Sequence, residues 1–220
     1  MKVLEARFPG YDVLSKENGP SWNAATRKVI KKRLEPGREQ LFFSAKEMKT
    51  LEALCARILP PGEDETVIGP LAMMVDEKMA RGRLDGYRNA SMPPQGEAWR
   101  VGLGALDAEA MEAFAVPFSQ LAGASRDLII SKMQKGELSS DEWGSMPPER
   151  FFKDRVIHDI THAYYSHPKA WSEIGFGGPA SPRGYVRTEL SRRDPWEGAE
   201  AKDASPDEQK AARRKNERVR

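Results

Sequence analysis

His158 and His162 stand four residues apart in the run His158-Asp159-Ile160-Thr161-His162. On a helix that spacing sets two imidazoles on one face, one turn apart, where together they could chelate a divalent cation. The pattern mimics HExxH with aspartate in place of glutamate. A zinc hydrolase of that kind needs the longer reach of glutamate as general base, and a third ligand; His167 is the only other histidine. A metal-dependent hydrolase using His158 and His162 is therefore one reading. The simpler one is a pair of histidines flanking an apolar stripe, hydrogen-bonded to backbone or to a partner.

Three other features invite chemistry and lose it on inspection. Gly175-Phe176-Gly177-Gly178-Pro179 has the glycines of a phosphate-cradling loop, but a dinucleotide site needs a strand before it and a helix after it. Here a helix precedes, and Pro179 and Pro182 follow; a backbone pressed close against a surface fits better. Arg213-Arg214-Lys215, with Arg218 and Arg220, would suit nucleic acid, yet Glu208 and Glu217 interrupt it and a solvated tail accounts for it. Cys55, the single cysteine, lies on an apolar face with no basic neighbour to lower its pKa, so it reads as a packing residue. No nucleophile elbow, phosphate-binding loop or paired-carboxylate signature is present.

The elements that must position these residues are helical. Ser21 is the expected cap of an amphipathic helix reaching Glu35, stopped by Pro36-Gly37. Ser44-Ala45-Lys46-Glu47 is a capping box, and Met48, Leu51, Leu54, Cys55, Ile58 and Leu59 follow on one face until Pro60-Pro61-Gly62. Ile68 to Arg81 forms the next helix, with Ile68, Leu71, Met74, Val75 and Met79 inward. Trp99, Leu103, Leu106 and Ala110 mark a fourth. Ser125 starts a fifth through Leu128, Ile129 and Met133, closed by Gly136. Glu149 to Ser166 is the strongest, with Phe152, Val156, Ile160, Ala163 and Tyr164 as its stripe. No stretch alternates with period two, so the fold class is all-α: a compact multi-helix domain with an extended C-terminal arm.

Four regions follow. Residues 1–43 are an N-terminal extension with one helix, and 44–167 the helical domain. Residues 168–197 are an arm in which proline and glycine exclude helix while Trp171, Phe176, Tyr185 and Trp196 demand a surface to lie on, either this chain's own or a partner's. Residues 198–220 are a charged tail expected to fray.

The 220 residues are 39% hydrophobic and 31% charged, enough to bury a core and too apolar for wholesale disorder. One cysteine excludes an internal disulfide, covalent c-type haem and cysteine-rich metal modules. The longest nearly apolar run, Val67 to Val75, is far short of the roughly 18–20 residues of a membrane-spanning helix. Lys+Arg number 35 against 33 Asp+Glu. From Gly198 onward seven basic residues face five acidic ones, so the tail carries the net +2. Met1 to Lys16 shows no positive stretch followed by an apolar one, so no secretory signal is expected there, and Arg27-Lys28-Val29-Ile30-Lys31 is followed by charge instead of an apolar stretch. A cytoplasmic location is expected, periplasmic if the chain is exported with a partner.

Several of these segments together resemble the gluconate 2-dehydrogenase subunit 3 family. They are Leu51 to Pro61, Trp99 to Asp107, Phe151-Phe152, Tyr164-Tyr165-Ser166-His167-Pro168 and Trp171 to Pro179, in that order. The resemblance covers roughly Ser44 to Arg187. It implies the small subunit of a bacterial dehydrogenase complex with no cofactor of its own. FAD would be carried by a glucose–methanol–choline-type large subunit that oxidises a sugar, sugar acid or glycoside, and a cytochrome or other acceptor would take the electrons. The expected role is to bind and stabilise or mature that flavoprotein, with no catalytic, cofactor or metal residues here. The expected interface is Tyr164, Tyr165, Trp171, Gly175, Phe176, Gly177, Gly178, Pro179, Arg183, Gly184, Tyr185 and Arg187, aromatic and arginine-rich as interfaces are.

Overall fold

A computed structural model describes residues 7–35, 37, 39–59, 65–83, 85–187, 192–201 and 205–219, and among these described residues nine α-helical segments form. They are α1 (Ala24–Leu34), α2 (Ala45–Ile58), α3 (Glu65–Ala80), α4 (Gln95–Phe114), α5 (Gly123–Lys135), α6 (Pro148–Phe151), α7 (His158–Ser166), α8 (Pro168–Glu173) and α9 (Pro206–Asn216). Among the described residues there is no strand, only an isolated bridge between Trp22 and Ser181. The all-α expectation holds. No described helix is long and apolar enough to cross a membrane.

The chain divides into two compact units, residues 36–164 and residues 1–35 with 165–220. The first is built by α2 to α7. Ser44 caps α2 with both halves of the capping box in place: its hydroxyl accepts from the Glu47 amide, and Glu47 accepts from the Ser44 amide. Met48, Leu51, Leu54 and Cys55 are buried as the spacing predicts, and burial pushes the Cys55 thiol up to about 12. Leu71, Val75 and Met79 of α3 and Trp99, Leu103, Leu106 and Ala110 of α4 complete the same core. Ile58, Ile68 and Met74 are only partly buried. The predicted stops at Pro36 and Pro60-Pro61-Gly62 lie outside the described residues.

Three local expectations change. Asn23, not Ser21, caps α1, its side chain accepting from the Thr26 amide at 2.8 Å; Ser21 is buried. Helix α5 begins at Gly123, two residues ahead of Ser125, and turns Leu128 to solvent while burying Ile129 and Met133. The last change concerns α6 and α7, which are joined without a break by a π-helical segment, Phe152–Ile157. Counting back one α turn from the buried Val156 gives Phe152, the expected core residue. A π turn spans about one residue more, so the fully buried ring is Phe151, and Phe152 is half-buried.

Phe151 docks edge-on to Trp99 with centroids 5.3 Å apart, and Trp99 in turn to Phe43 at 6.3 Å. Helix α4 presents Gly102 at this point. A Cβ there would lie 2.2 Å from the Phe151 ring, so only glycine admits the contact.

The second unit is closed by the two ends of the chain. Phe8, Tyr11, Val13, Trp22, Ile30, Trp171 and Val219 form its core, with Leu14, Leu34 and Trp196 against it. The tail expected to fray is a capped helix here: Ser205 accepts from the Glu208 amide, Pro206 opens α9, and Asn216 is buried at its end. The Asn216 amide donates to the carbonyls of Pro9 and Ala199 at 2.9 and 3.0 Å, and its oxygen accepts from the Ala199 amide at 2.6 Å. Ser15 donates to the Val219 carbonyl at 2.8 Å. Composition alone makes this stretch look solvated, because Ala201, Ala212, Val219 and one asparagine suffice to seat it.

Candidate functional site

The arm follows α7 and begins with a helix where none is expected: Pro168 sits at the first position of α8, where its missing N–H costs nothing. His167 caps that helix with Nδ1 accepting from the Lys169 amide at 3.3 Å. Trp171 follows and is 3% exposed, its indole N–H donating to the Tyr165 carbonyl at 2.7 Å and the Arg33 guanidinium 5.4 Å above its ring. Beyond α8 the chain turns back over the 3₁₀ turn Val13–Lys16 and the start of α1. The Trp22 indole N–H donates to the Pro179 carbonyl at 2.9 Å, and the Asn23 amide to Ser181 at 2.9 Å. Gly178, at φ +66°, lets this bend form; a Cβ there would meet Val13 at 3.1 Å and the Trp171 ring at 3.2 Å.

Lys16 secures the same bend from below. It is fully buried, and Nζ donates to the carbonyl of Gly177 and, at 3.4 Å, to that of Trp196. Burial and the nearby Arg183 push its pKa down to about 8, against the opposing pull of Glu197. The Tyr11 hydroxyl donates to the Trp196 carbonyl at 3.2 Å and more weakly to that of Phe176 at 3.4 Å, and burial drives its pKa well up. Tyr185 lies over Gly177 and donates to the Gly178 carbonyl; burial, Glu197 and Asp194 push its pKa up to about 12. Buried Asp194 accepts from the Val186 and Arg187 amides at 2.9 and 3.2 Å and fixes the outgoing chain.

What the arm leaves outward is specific. Phe176 and Tyr185 lie parallel, with centroids 6.2 Å apart and planes within 7°, and are 42% and 37% exposed. Val186 beside them is 71% exposed. Arg183 lies over the Trp196 ring at 4.3 Å, and Arg187 donates to the Arg193 carbonyl at 3.3 Å. Of the twelve expected interface residues, these and Tyr165 are open to solvent or partly so. Gly175, Gly177 and Gly178 are buried in the arm's own packing, Pro179 is partly buried, and Gly184 faces open space. Trp171 is core, and Tyr164 is buried in the other unit.

The histidine pair is rearranged. His158 and His162 have ring centroids 6.4 Å apart, but the groups whose ligand atoms converge are His158, Asp85 and Asp159. Lys78 Nζ lies 2.7 Å from both carboxylates, and Arg155 lies 2.9 Å from Asp85 and 3.5 Å from Asp159. Trp99 donates to Asp159 at 2.7 Å. Burial alone would raise the Asp85 pKa, but the hydrogen bonds from Lys78 and Arg155 hold it below the usual carboxylate range. Two cations already occupy the oxygens a metal would need, so the cluster reads as a bolt joining α3, α4 and α7.

The sequence reading missed this residue class. Asp76, Asp107 and Asp159 are all buried in helices. Asp76 accepts from the amides of Leu41, Phe42 and Phe43 at 2.7, 3.0 and 2.8 Å. Asp107 accepts from Thr50 at 3.0 Å and pairs with Lys46 at 3.2 Å. The signal was an aspartate inside each apolar stripe, next to Val75, Leu106 and Ile160.

Comparison with curated proteins and with solved structures finds no match to the chain. The family model described as gluconate 2-dehydrogenase subunit 3 matches residues 45–178, from the first residue of α2 to the glycine at the bend of the arm. By that match over more than half its length, on an all-α fold, the chain belongs to the gluconate 2-dehydrogenase subunit 3 family.

Proposed function

We propose that this chain is the non-catalytic small subunit that binds and stabilises or matures an FAD-dependent dehydrogenase of the glucose–methanol–choline type. Its partner oxidises a sugar, sugar acid or glycoside and passes the electrons to a cytochrome or another acceptor. Family membership supports a place in a multi-subunit dehydrogenase. The observation that carries the interface is the parallel pair Phe176 and Tyr185, held half-exposed on a rigidly seated loop. Exposed aromatics locked by their own scaffold lose little entropy on docking and supply the large contact areas typical of binding hot spots.

The test is co-expression of the tagged chain with a glucose–methanol–choline-type flavoprotein from the same genome. The flavoprotein should co-elute with its flavin absorbance. Phe176→Ala with Tyr185→Ala should weaken that association about tenfold or more, while the isolated chain, short of the Tyr185 hydrogen bond to Gly178, still folds with an unchanged far-UV circular dichroism spectrum. A flavoprotein that takes up FAD and elutes alone, with or without the wild-type chain, would refute the reading.

A further inference from the structure

The charge of the chain is divided between its units. Residues 1–35 and 165–220 hold 20 Lys+Arg against 13 Asp+Glu, a formal +7, whereas residues 36–164 hold 15 against 20, a formal −5. The near-neutral total conceals a basic unit, and the exposed aromatic pair belongs to it.

Around that pair three arginines, Arg183, Arg187 and Arg193, stand without a direct ion pair among the described residues. Arg183 lies over the Trp196 ring and Arg187 donates to one carbonyl, contacts that orient a guanidinium without neutralising it. Lys16 lies buried behind them, within the field of Arg183. A planar fork pre-oriented beside an exposed apolar pair is built to accept a carboxylate in two parallel hydrogen bonds.

Resting on the subunit reading above, we propose that Phe176, Tyr185 and Val186, framed by Arg183 and Arg187, dock on an acidic face of the flavoprotein subunit. Carboxylates of that subunit would pair with the two arginines. A protein face fits better than a polyphosphate or anionic membrane because Asp194 and Glu197 lie within the same cluster. A uniformly anionic surface would be repelled by them, whereas a mixed protein surface can avoid them.

The experiment measures affinity between the full chain and the flavoprotein holoenzyme at about 50 mM and about 500 mM NaCl. Affinity should fall about tenfold or more with salt, and Arg183→Glu with Arg187→Glu should lower it at least as much and flatten the salt dependence. Arg183→Lys with Arg187→Lys should restore part of the loss. Lys132→Glu with Lys135→Glu, exposed in the other unit, should leave affinity unchanged, and far-UV circular dichroism should be the same for every variant. A complex indifferent to salt and to the arginine reversal would overturn the acidic-face proposal and leave the subunit reading standing. No complex at either salt would overturn both. Binding to vesicles of about 30 mol % phosphatidylserine, abolished by the same reversal while the flavoprotein complex is untouched, would also overturn it.

Discussion

Sealed under the arm and in no ion pair among the described residues, Lys16 is the side chain with the clearest pH signature. Its folded pKa, about 8, lies below its ordinary 10.5. Below pH 8 both folded and unfolded chains hold the proton, and the cost of burying the ammonium is present in full. Between pH 8 and about 10 the folded chain sheds its proton first, the unfolded chain binds more protons, and stability rises with pH. The melting temperature of the wild type should therefore climb across that window relative to Lys16→Met, as followed by circular dichroism. The raised Tyr11, Tyr185 and Cys55 groups act in the opposite sense, but they do so in both proteins and cancel in the difference. A second contrast belongs to this scale. Trp171→Ala empties a core position and should cost about 3–5 kcal/mol of stability, so it cannot report on docking. The sequence marked Trp171 and Phe176 alike as aromatics in need of a surface. It had no means of telling which would find one within the chain.

At the level of helices, the apolar period and the start signals were largely legible: the Ser44–Glu47 box, the Gly136 stop of α5 and the Leu/Trp stripe of α4 all stand where the pattern puts them. The π segment was not legible, because nothing in Phe152–Ile157 distinguishes it from an α turn until the burial of Phe151 shows the slipped register. The same limit hid the buried aspartates, whose partners are amides and cations distant in sequence. Gly102 tests the slipped register. Gly102→Ala would force a Cβ into the Phe151 ring, and overpacking of this kind should lower stability by about 1–3 kcal/mol in urea denaturation. Gly104→Ala, with nothing within 4 Å of the new Cβ, should be neutral or slightly stabilising through helix propensity.

For the molecule as a whole, the largest departure from the sequence reading is the tail. Composition marks residues 198–220 as a charged tail that frays. With Asn216 bonded to Pro9 and Ala199, and Val219 in the core with Phe8 and Tyr11, removal of residues 205–220 should instead loosen the basic unit. It should raise dye binding to exposed apolar surface and speed proteolysis of the arm. Equal protease resistance in the truncated and full chains would contradict this.

That clasp also sets an order of events during synthesis. Val219 and Asn216 can reach Phe8 and Pro9 only once α9 has left the ribosome, so the packing of this unit is completed last. The loop bearing Phe176 and Tyr185, part of the same unit, gains its full support only after α9 has been made.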